Sequence, residues 1–513
     1  MGLAKVYSGG VSGVEAFKVE IETSARSGDP LMIVVGLPDA AVRESKDRVW
    51  TAIINSKIWF EPCRMTVNLA PADTRKEGPS FDLPIALSIL IATEAVRPSR
   101  NAGAYMAVGE LALSGEVRRV RGVLPIAIMA RKNGFKGLLV PTENAEEAAV
   151  VEGLDVHAIA NLREATDFLE GKIELPPTKV NLLDIYNAAQ PGCADDFSEV
   201  KGQALARRAL EVAVSGGHGV LMIGSPGCGK SLMARRIPSI LPPMTLDEAL
   251  ETTQIHSVAG ALPAHQSLLT QRPFRSPHHT ASDVGLLGGG MHLSPGEVSL
   301  AHGGVLFLDE LPEFPRNVLE VLRQPLEDGH VTITRASGTA KFPSRFMLVA
   351  AMNPCPCGYA GDPKRACRCL PLRVEAYRGK ISGPLLDRID IHINVPSVHF
   401  QQMSAPAPAE NSAAIRARVV NCRDIQTQRF GSSGPVCNAH MRPREVHKFC
   451  VLSAPCATLL KMAMEEMGLT GRAYDRILKV SRTIADMDAS ENINEEHIQE
   501  AISYRTLDRM KWR

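Results

Sequence analysis

The chain has 513 residues, 45% of them apolar, a formal net charge of +1 and a mean hydropathy near zero, which describes a soluble globular protein of about two to four domains with no overall electrostatic pull toward nucleic acid. No apolar run reaches the ~18–20 residues that a bilayer crossing needs; the longest, from Leu83 to Val96, is broken by Thr93 and Glu94, and the N-terminus lacks a charged-then-apolar leader, so the expected compartment is the cytosol with no membrane attachment. Eleven cysteines in that compartment point to thiols or a metal site rather than a disulfide framework.

Residues 1–170 mix strand and helix signals. Strands are expected over Val14–Ile21, Leu31–Val35 and Met65–Leu69, and helices over Ala40–Ser56 and Ser80–Ala92. In the second helix Leu83, Ile85, Leu87 and Leu90 give a mostly buried face. Alternation over Gly109–Arg121 suits a hairpin. Residues 171–195 are Pro- and Asn-rich and read as a linker.

A second unit is expected over 196–395. Its helix Ala204–Ser215 is stopped by Gly216-Gly217. The apolar run Gly219-Val220-Leu221-Met222-Ile223 predicts a buried strand. It leads into Gly224-Ser225-Pro226-Gly227-Cys228-Gly229-Lys230-Ser231, the spacing G-x-x-x-x-G-K-[ST], and then into a helical stretch from Leu232 to Ile237. Strand, glycine loop and helix together make a phosphate cradle. Glycines let backbone N–H groups approach phosphates, and the helix N-terminus adds partial positive charge. Lys230 is expected to reach the β/γ-phosphates of ATP and Ser231 to hold Mg²⁺. Cys228, inside this loop, reads as a small tolerated residue. Thr245-Leu246-Asp247-Glu248 is a capping-box start for the next helix. His278 and His279 are adjacent and cannot easily ligate one metal from the same face; a structural or subunit-contact role is favoured, with DNA contact next.

Val305-Leu306-Phe307-Leu308 predicts a central parallel strand that delivers Asp309 and Glu310 at its C-terminal end, where ligands bind in open α/β sheets. Asp309 completes the metal site in this reading, and Glu310 polarises the attacking water. Residues Val331–Ala336 alternate, turn through Ser337-Gly338-Thr339, and run on to Lys341–Phe346 as a hairpin. Cys355, Cys357, Cys367 and Cys369 form C-x-C-x₉-C-x-C. Four thiolates in one loop could bind Zn²⁺, although C-x-C is tighter than the usual spacing; reduced loop thiols or a redox-sensitive pair are the alternatives. From Lys341 to Asp390 there are nine Lys/Arg and four Asp/Glu, either an anion-facing surface or a solvated basic face. Residues 396–412, with Pro406 and Pro408, read as a hinge, and 413–513 as all-helical, with Asn494 capping the last helix.

Asp196-Phe-x-x-Val-Lys-Gly-Gln203, the two nucleotide motifs and Ser382-Gly-Pro-Leu-Leu-Asp-Arg-Ile-Asp-Ile-His392 resemble an AAA+ ATPase related to the magnesium-chelatase ATPase subunit. Asn68-Leu-Ala-Pro-Ala-Asp73 and Lys76-Glu-Gly-Pro-Ser80 resemble the Lon-protease-like domain of YifB/ComM proteins, and Arg272–Thr280 and Asn353-Pro-Cys-Pro-Cys-Gly358 fit the same group. The resemblance covers essentially the whole chain. It implies an α/β AAA+ sheet with a C-terminal helical lid, preceded by an α+β Lon-like domain over 1–170. It further implies a hexameric, ATP-driven DNA motor, its role branch migration during integration of transforming DNA. By resemblance, Asn353 is the sensor that helps position the lytic water. Arg388 is the arginine finger inserted into a neighbouring subunit's site, the alternative being an ion pair with Asp387 or Asp390. Arg472 is the sensor arginine of the lid that touches the γ-phosphate, with Arg476 a competitor one turn later. The hairpin is pore-facing in such proteins, so Thr334, Arg335 and Lys341 would touch DNA phosphates with little sequence preference; an ordinary sheet-edge hairpin is the alternative.

Ser80 resembles the nucleophile of a Ser–Lys protease dyad, which needs a nearby base. The aligned lysine position falls on Leu124; Arg118, Arg119 and Arg121 stay protonated, and Lys132 is the nearest downstream lysine. Ser80 is therefore expected to be a relic that caps the Ser80–Ala92 helix. The rival readings are a chelatase-type motor acting on a protein partner, an ATP-dependent protease and a nucleotide-gated scaffold.

Overall fold

A computed structural model describes residues 2–188, 195–290, 293–335, 338–397, 410–431 and 434–505. The N-terminal module is built on a seven-stranded sheet in the order Leu31–Val35, Arg64–Ala70, Glu15–Arg26, Leu3–Ser12, Tyr105–Ala107, Gly137–Pro141, Asp155–Ile159. Glu15–Arg26 runs antiparallel to both its neighbours, and the remaining pairs are parallel. Successive residues of a strand face opposite sides, so Leu139 enters one core with the helices Ala40–Asn55 and Asp82–Ala92, while Leu138 and Val140 enter another with the helix Val123–Lys132.

Ser80 does not cap the second helix. It sits in a 3₁₀ turn, Pro79–Phe81, and the α-helix begins at Asp82 with no side-chain cap bond. The chain turns on Asp82 instead. Its buried carboxylate accepts from Arg48 Nε at 2.9 Å, from the Ser45 hydroxyl and from the Leu111 N–H at 3.3 Å. Burial pushes that carboxyl upward in spite of Arg48. Leu124, aligned with the dyad lysine, is fully buried. Among the described residues no hydrogen bond joins the Ser80 hydroxyl to a basic side chain.

The core on the Val123–Lys132 side does not stop at the module's edge. It takes in Met244, Ala249 and Leu268 from the following unit. Across the same seam Gly122 N–H donates to Ser257 O at 3.1 Å, and the Ser257 hydroxyl donates to Glu147. The segment 171–195, expected as a linker, carries a helix, Leu182–Ala188. Leu182 is buried in this shared core, and the Tyr186 hydroxyl donates to Met244 O at 2.7 Å.

The nucleotide module is a five-stranded parallel sheet in the order Phe274–Arg275, Val305–Leu308, Met347–Met352, Val220–Ile223, Ile391–Asn394. The runs VLMI, VLFL and MLVAAM are buried on both faces, as parallel strands covered by helices must be. Register pairs Ile223 with Met352 and with Asn394, and Leu308 with Ala350, so these strands end on one edge. A separate hairpin, His330–Arg335 with Gly338–Pro343, buries Val331, Ile333, Ala340 and Phe342 and exposes Thr332, Thr334, Arg335, Thr339 and Lys341. Ala336, the end of the expected strand, and Ser337, the first expected turn residue, lie outside the described residues, as do Pro406 and Pro408 of the expected hinge; Gly338 and Thr339, expected in the turn, already pair in the second strand.

The C-terminal region is helical: Ser412–Phe430, Pro443–Phe449, Ala454–Met467, Gly471–Met487 and Glu495–Ser503. Asn494 caps the last helix through His497 N–H at 3.0 Å. No helix among the described residues is long and apolar enough to cross a membrane.

A buried polar chain fastens this lid to the sheet. His218 bonds Asp390 Oδ2 at 2.8 Å through Nδ1 and the Thr483 hydroxyl at 2.8 Å through Nε2, and Arg476 pairs with Asp390 Oδ1 at 2.8 Å. Burial alone pushes the Asp390 carboxyl up, but Arg476 and then His218 outweigh it and hold it well below the ordinary carboxylate range. A depressed folded-state pKa contributes stability that is complete above the unfolded value of about 4 and is lost as pH falls from there toward the folded value. Asp390→Asn, which leaves Arg476 without its counter-charge, should cost about 3 kcal/mol near neutral pH, read as a lower urea midpoint. The gap to the unaltered chain should narrow below about pH 4; an equal gap at neutral and acid pH would show that the charge is not what matters.

Candidate nucleotide site

The Val220–Ile223 strand runs into the glycine loop, and the Lys230–Ile240 helix begins directly after it. Gly227 and Gly229 both take positive φ, at 78° and 96°, which the turn requires and side chains resist. A Cβ on Gly224 would lie 2.3 Å from Val395 O. The loop is therefore held tight against the end of the neighbouring strand.

Lys230 is buried, and its Nζ donates to Gly224 O at 2.6 Å, Ser225 O at 3.1 Å and Asn353 Oδ1 at 3.3 Å. The Ser231 hydroxyl donates to Asp309 Oδ2 at 2.6 Å. The other Asp309 oxygen accepts the Glu310 N–H at 2.9 Å. Glu310 takes φ of 52°, an uncommon backbone state for a glutamate, and its side chain is exposed. Thus the structure brings Lys230, Ser231, Asp309, Glu310 and Asn353 to one sheet edge. Two hard oxygens side by side on Ser231 and Asp309 fit Mg²⁺, and the loop-to-helix start with its lysine fits a triphosphate.

Cys228 is 2% exposed and packs into the main core, in keeping with a small tolerated residue. Arg388 is turned inward. Its guanidinium donates to Pro384 O at 2.6 Å and pairs with Glu327, not with Asp387 or Asp390 as the ion-pair alternative expected. Arg476 is committed to Asp390, while Arg472 is exposed on the first turn of the Gly471–Met487 helix. No hydrogen bond or ion pair joins Arg472 to the loop among the described residues.

Three partners near the site carry no local sequence signal. His279 Nδ1 lies 3.6 Å from Glu310 Oε2, with the His279 ring 4.1 Å from that of His278. Position after the Phe274–Arg275 strand, beside the Asp309 strand, is what could have pointed to it. Asp362 Oδ2 accepts the Ser225 hydroxyl at 2.7 Å, and this bond heads the causes that pull the Asp362 carboxyl down. Glu327, the third, reaches Arg388 from the short helix Arg323–Asp328 that precedes the hairpin.

The four loop cysteines converge. Cys355 Sγ lies 3.3 Å from Cys357 Sγ and 3.6 Å from Cys367 Sγ, Cys357 Sγ lies 3.6 Å from Cys367 Sγ, and all four sulfurs fall within 4.8 Å of one another. Backbone N–H groups of Arg368 and then Tyr359 hold the Cys357 thiol down to about 6.

Comparison with known proteins places this geometry. The family "Magnesium chelatase, subunit ChlI" matches residues 196–403, "Subunit ChlI of Mg-chelatase" matches 20–144, and "Magnesium chelatase, subunit ChlI C-terminal" matches 409–505. The YifB protein of Salmonella typhimurium is 42% identical over 514 residues, covering 99% of this chain and 98% of its own. The competence protein ComM of Haemophilus influenzae is also 42% identical over 514 residues, covering 99% of both chains. The magnesium-chelatase 38 kDa subunit of Cereibacter sphaeroides is 23% identical over 346 residues, 61% of this chain and 92% of its own. With identity at this level running end to end, and an AAA+ fold beneath it, the chain belongs to the YifB/ComM family of magnesium-chelatase-like AAA+ proteins.

Proposed function

We propose that this protein is an ATP-hydrolysing, ring-forming DNA motor, a translocase or branch-migration helicase serving recombination or natural transformation. The 2.6 Å bond from Ser231 to Asp309 carries the ATPase part. A P-loop hydroxyl and an acidic strand-end oxygen stand side by side, and these are the residues that would hold a divalent ion, with Lys230 and Asn353 alongside. Support for the DNA part comes from two sources. A relative covering 99% of both chains is named a competence protein. The His330–Pro343 hairpin, anchored by one apolar face, leaves Thr334, Arg335 and Lys341 exposed for phosphates.

Each residue has a distinct task. The loop N–H groups and Lys230 bind the phosphates, so Lys230 gives up its carbonyl partners on Gly224 and Ser225 for phosphate oxygens. Ser231 and Asp309 would hold Mg²⁺, which would supply charge neutralisation to the phosphates. Glu310, exposed and with His279 3.6 Å from its carboxylate, takes a proton from the attacking water. Asn353, tied to Lys230, orients that water. In this reading Arg388 acts across a subunit boundary, and it must leave Glu327 to do so; Arg472 is the lid arginine placed to sense the γ-phosphate.

Lys230→Ala should abolish ATP turnover. Ser231→Ala should weaken nucleotide binding in Mg²⁺ by at least about tenfold and leave the Mg²⁺-free affinity much less changed. Normal turnover in the first variant, or an equal loss with and without Mg²⁺ in the second, would remove these assignments. Mixing Arg388→Ala with Glu310→Gln subunits should restore part of the turnover at hybrid interfaces, provided that assembly is verified by light scattering. The motor reading is tested by ATPase rate with and without single-stranded and branched DNA across a salt series. Stimulation that falls steeply with salt is expected, and a flat response would turn the assignment toward a chelatase-type motor on a protein partner.

A further inference from the structure

We propose that Cys355, Cys357, Cys367 and Cys369 hold one zinc ion, and that this ion fixes the loop that braces the phosphate-binding loop. The distances carry the first half. Four thiolates about 2.3 Å from a central ion sit about 3.8 Å apart at the corners of a tetrahedron. The observed separations of 3.3, 3.6 and 3.6 Å, with every sulfur inside a 4.8 Å limit, fall within about half an ångström of that figure at three of the edges. A disulfide, with sulfurs about 2.05 Å apart, does not describe them. An iron–sulfur cluster needs its thiolates spread around several metal atoms, and this cage is too small.

Backbone donors face two of the sulfurs. Ala360 N–H donates to Cys355 Sγ at 3.3 Å, and Cys369 N–H donates to Cys367 Sγ at 3.4 Å. Amide donors of this kind orient metal-bound sulfurs and offset their charge. A zinc tetrathiolate carries a net charge of about −2, and the loop between the second and third cysteines supplies Lys364 and Arg365, with Arg368 beside the third. Arg365 is itself positioned over the Tyr359 ring at 5.2 Å and bonded to its hydroxyl at 2.8 Å.

The second half follows from what the loop touches, and it rests on reading Gly224–Ser231 as the nucleotide loop. Gly358, at φ of 85°, presses against Pro226: a Cβ there would lie 2.5 Å from the proline ring. Asp362 holds the Ser225 hydroxyl at 2.7 Å, and its other oxygen is fixed by Lys364 N–H at 2.8 Å and Arg365 N–H at 3.1 Å. Both contacts come from the stretch between Cys357 and Cys367. An ion that gathers its two ends therefore sets the position of Ser225 and Pro226.

Elemental analysis of the full chain, purified in reducing buffer without chelator, should find about one zinc per chain. Cys357→Ser/Cys369→Ser should lose it with its helical circular dichroism unchanged; if that variant fails to fold, zinc release on organomercurial titration of the unaltered chain answers the same question. Fewer than about one ion per ten chains, or one iron with visible thiolate absorption, overturns the zinc assignment. Bracing is read by hydrogen–deuterium exchange of the peptide 222–232 without nucleotide. Metal extraction, and separately Asp362→Asn, should each speed that exchange by roughly tenfold, and the Asp362→Asn protein should keep its zinc. Unchanged exchange in either overturns bracing. With no nucleotide present, that result is independent of whether the loop binds ATP.

Discussion

The nucleotide site depends on parallel strands that finish at one edge. Parallel neighbours cannot be joined by a tight turn, so each strand returns through a long crossover, and residues far apart in sequence meet only if the register is kept. Here the Met347–Met352 strand lies between the strand that feeds the glycine loop and the strand that delivers Asp309. That order puts Asn353 within reach of Lys230 from one side and leaves Asp309 facing Ser231 from the other. A slip of one residue in any of these strands would turn its inward set to the other face. Burial of both faces, with Leu306 and Leu308 in one core and Val305 and Phe307 in the other, is what forbids the slip.

Charged groups taken out of water are each held by named partners. Lys76, fully buried, donates to the carbonyls of Thr74 and Pro71, and burial lowers its pKa. Asp82 is held by Arg48 and Ser45, and Asp390 by Arg476 and His218. Such groups add little stability against an apolar replacement, but removing one partner is costly. They fix a loop, a helix start and the lid.

The glycine loop, its strand and the VLFL-Asp-Glu strand were legible because a buried parallel strand shows as an unbroken apolar run. The lid was legible from its caps, of which Asn494 is an example. In the N-terminal module Leu31–Val35 is found where a strand was expected, but Tyr105–Ala107, Gly137–Pro141 and Asp155–Ile159 were not anticipated. Each is only three to five residues long, too short for its pattern to set it apart from helix. Ser80 misled because a serine before an apolar run looks like a cap, whereas the bend after Gly78 is finished by a 3₁₀ turn. Cysteine spacing was visible, convergence was not. The partners Asp362, His279 and Glu327 are set by tertiary closure, which no local spacing encodes. Arg472 and Arg476, one turn apart, look alike in sequence; the buried Asp390 that pairs with Arg476 is a tertiary neighbour that no local pattern reveals.

The seam around Met244, Ala249 and Leu268 has a mechanical consequence. Apolar surface shared in this way is water-free, and prying it apart would expose it at a cost that rises with its area. The first module is thus packed into the second rather than merely tethered to it, and a shift of the Leu246–Ala259 helix against the Val123–Lys132 helix would have to open this shared core.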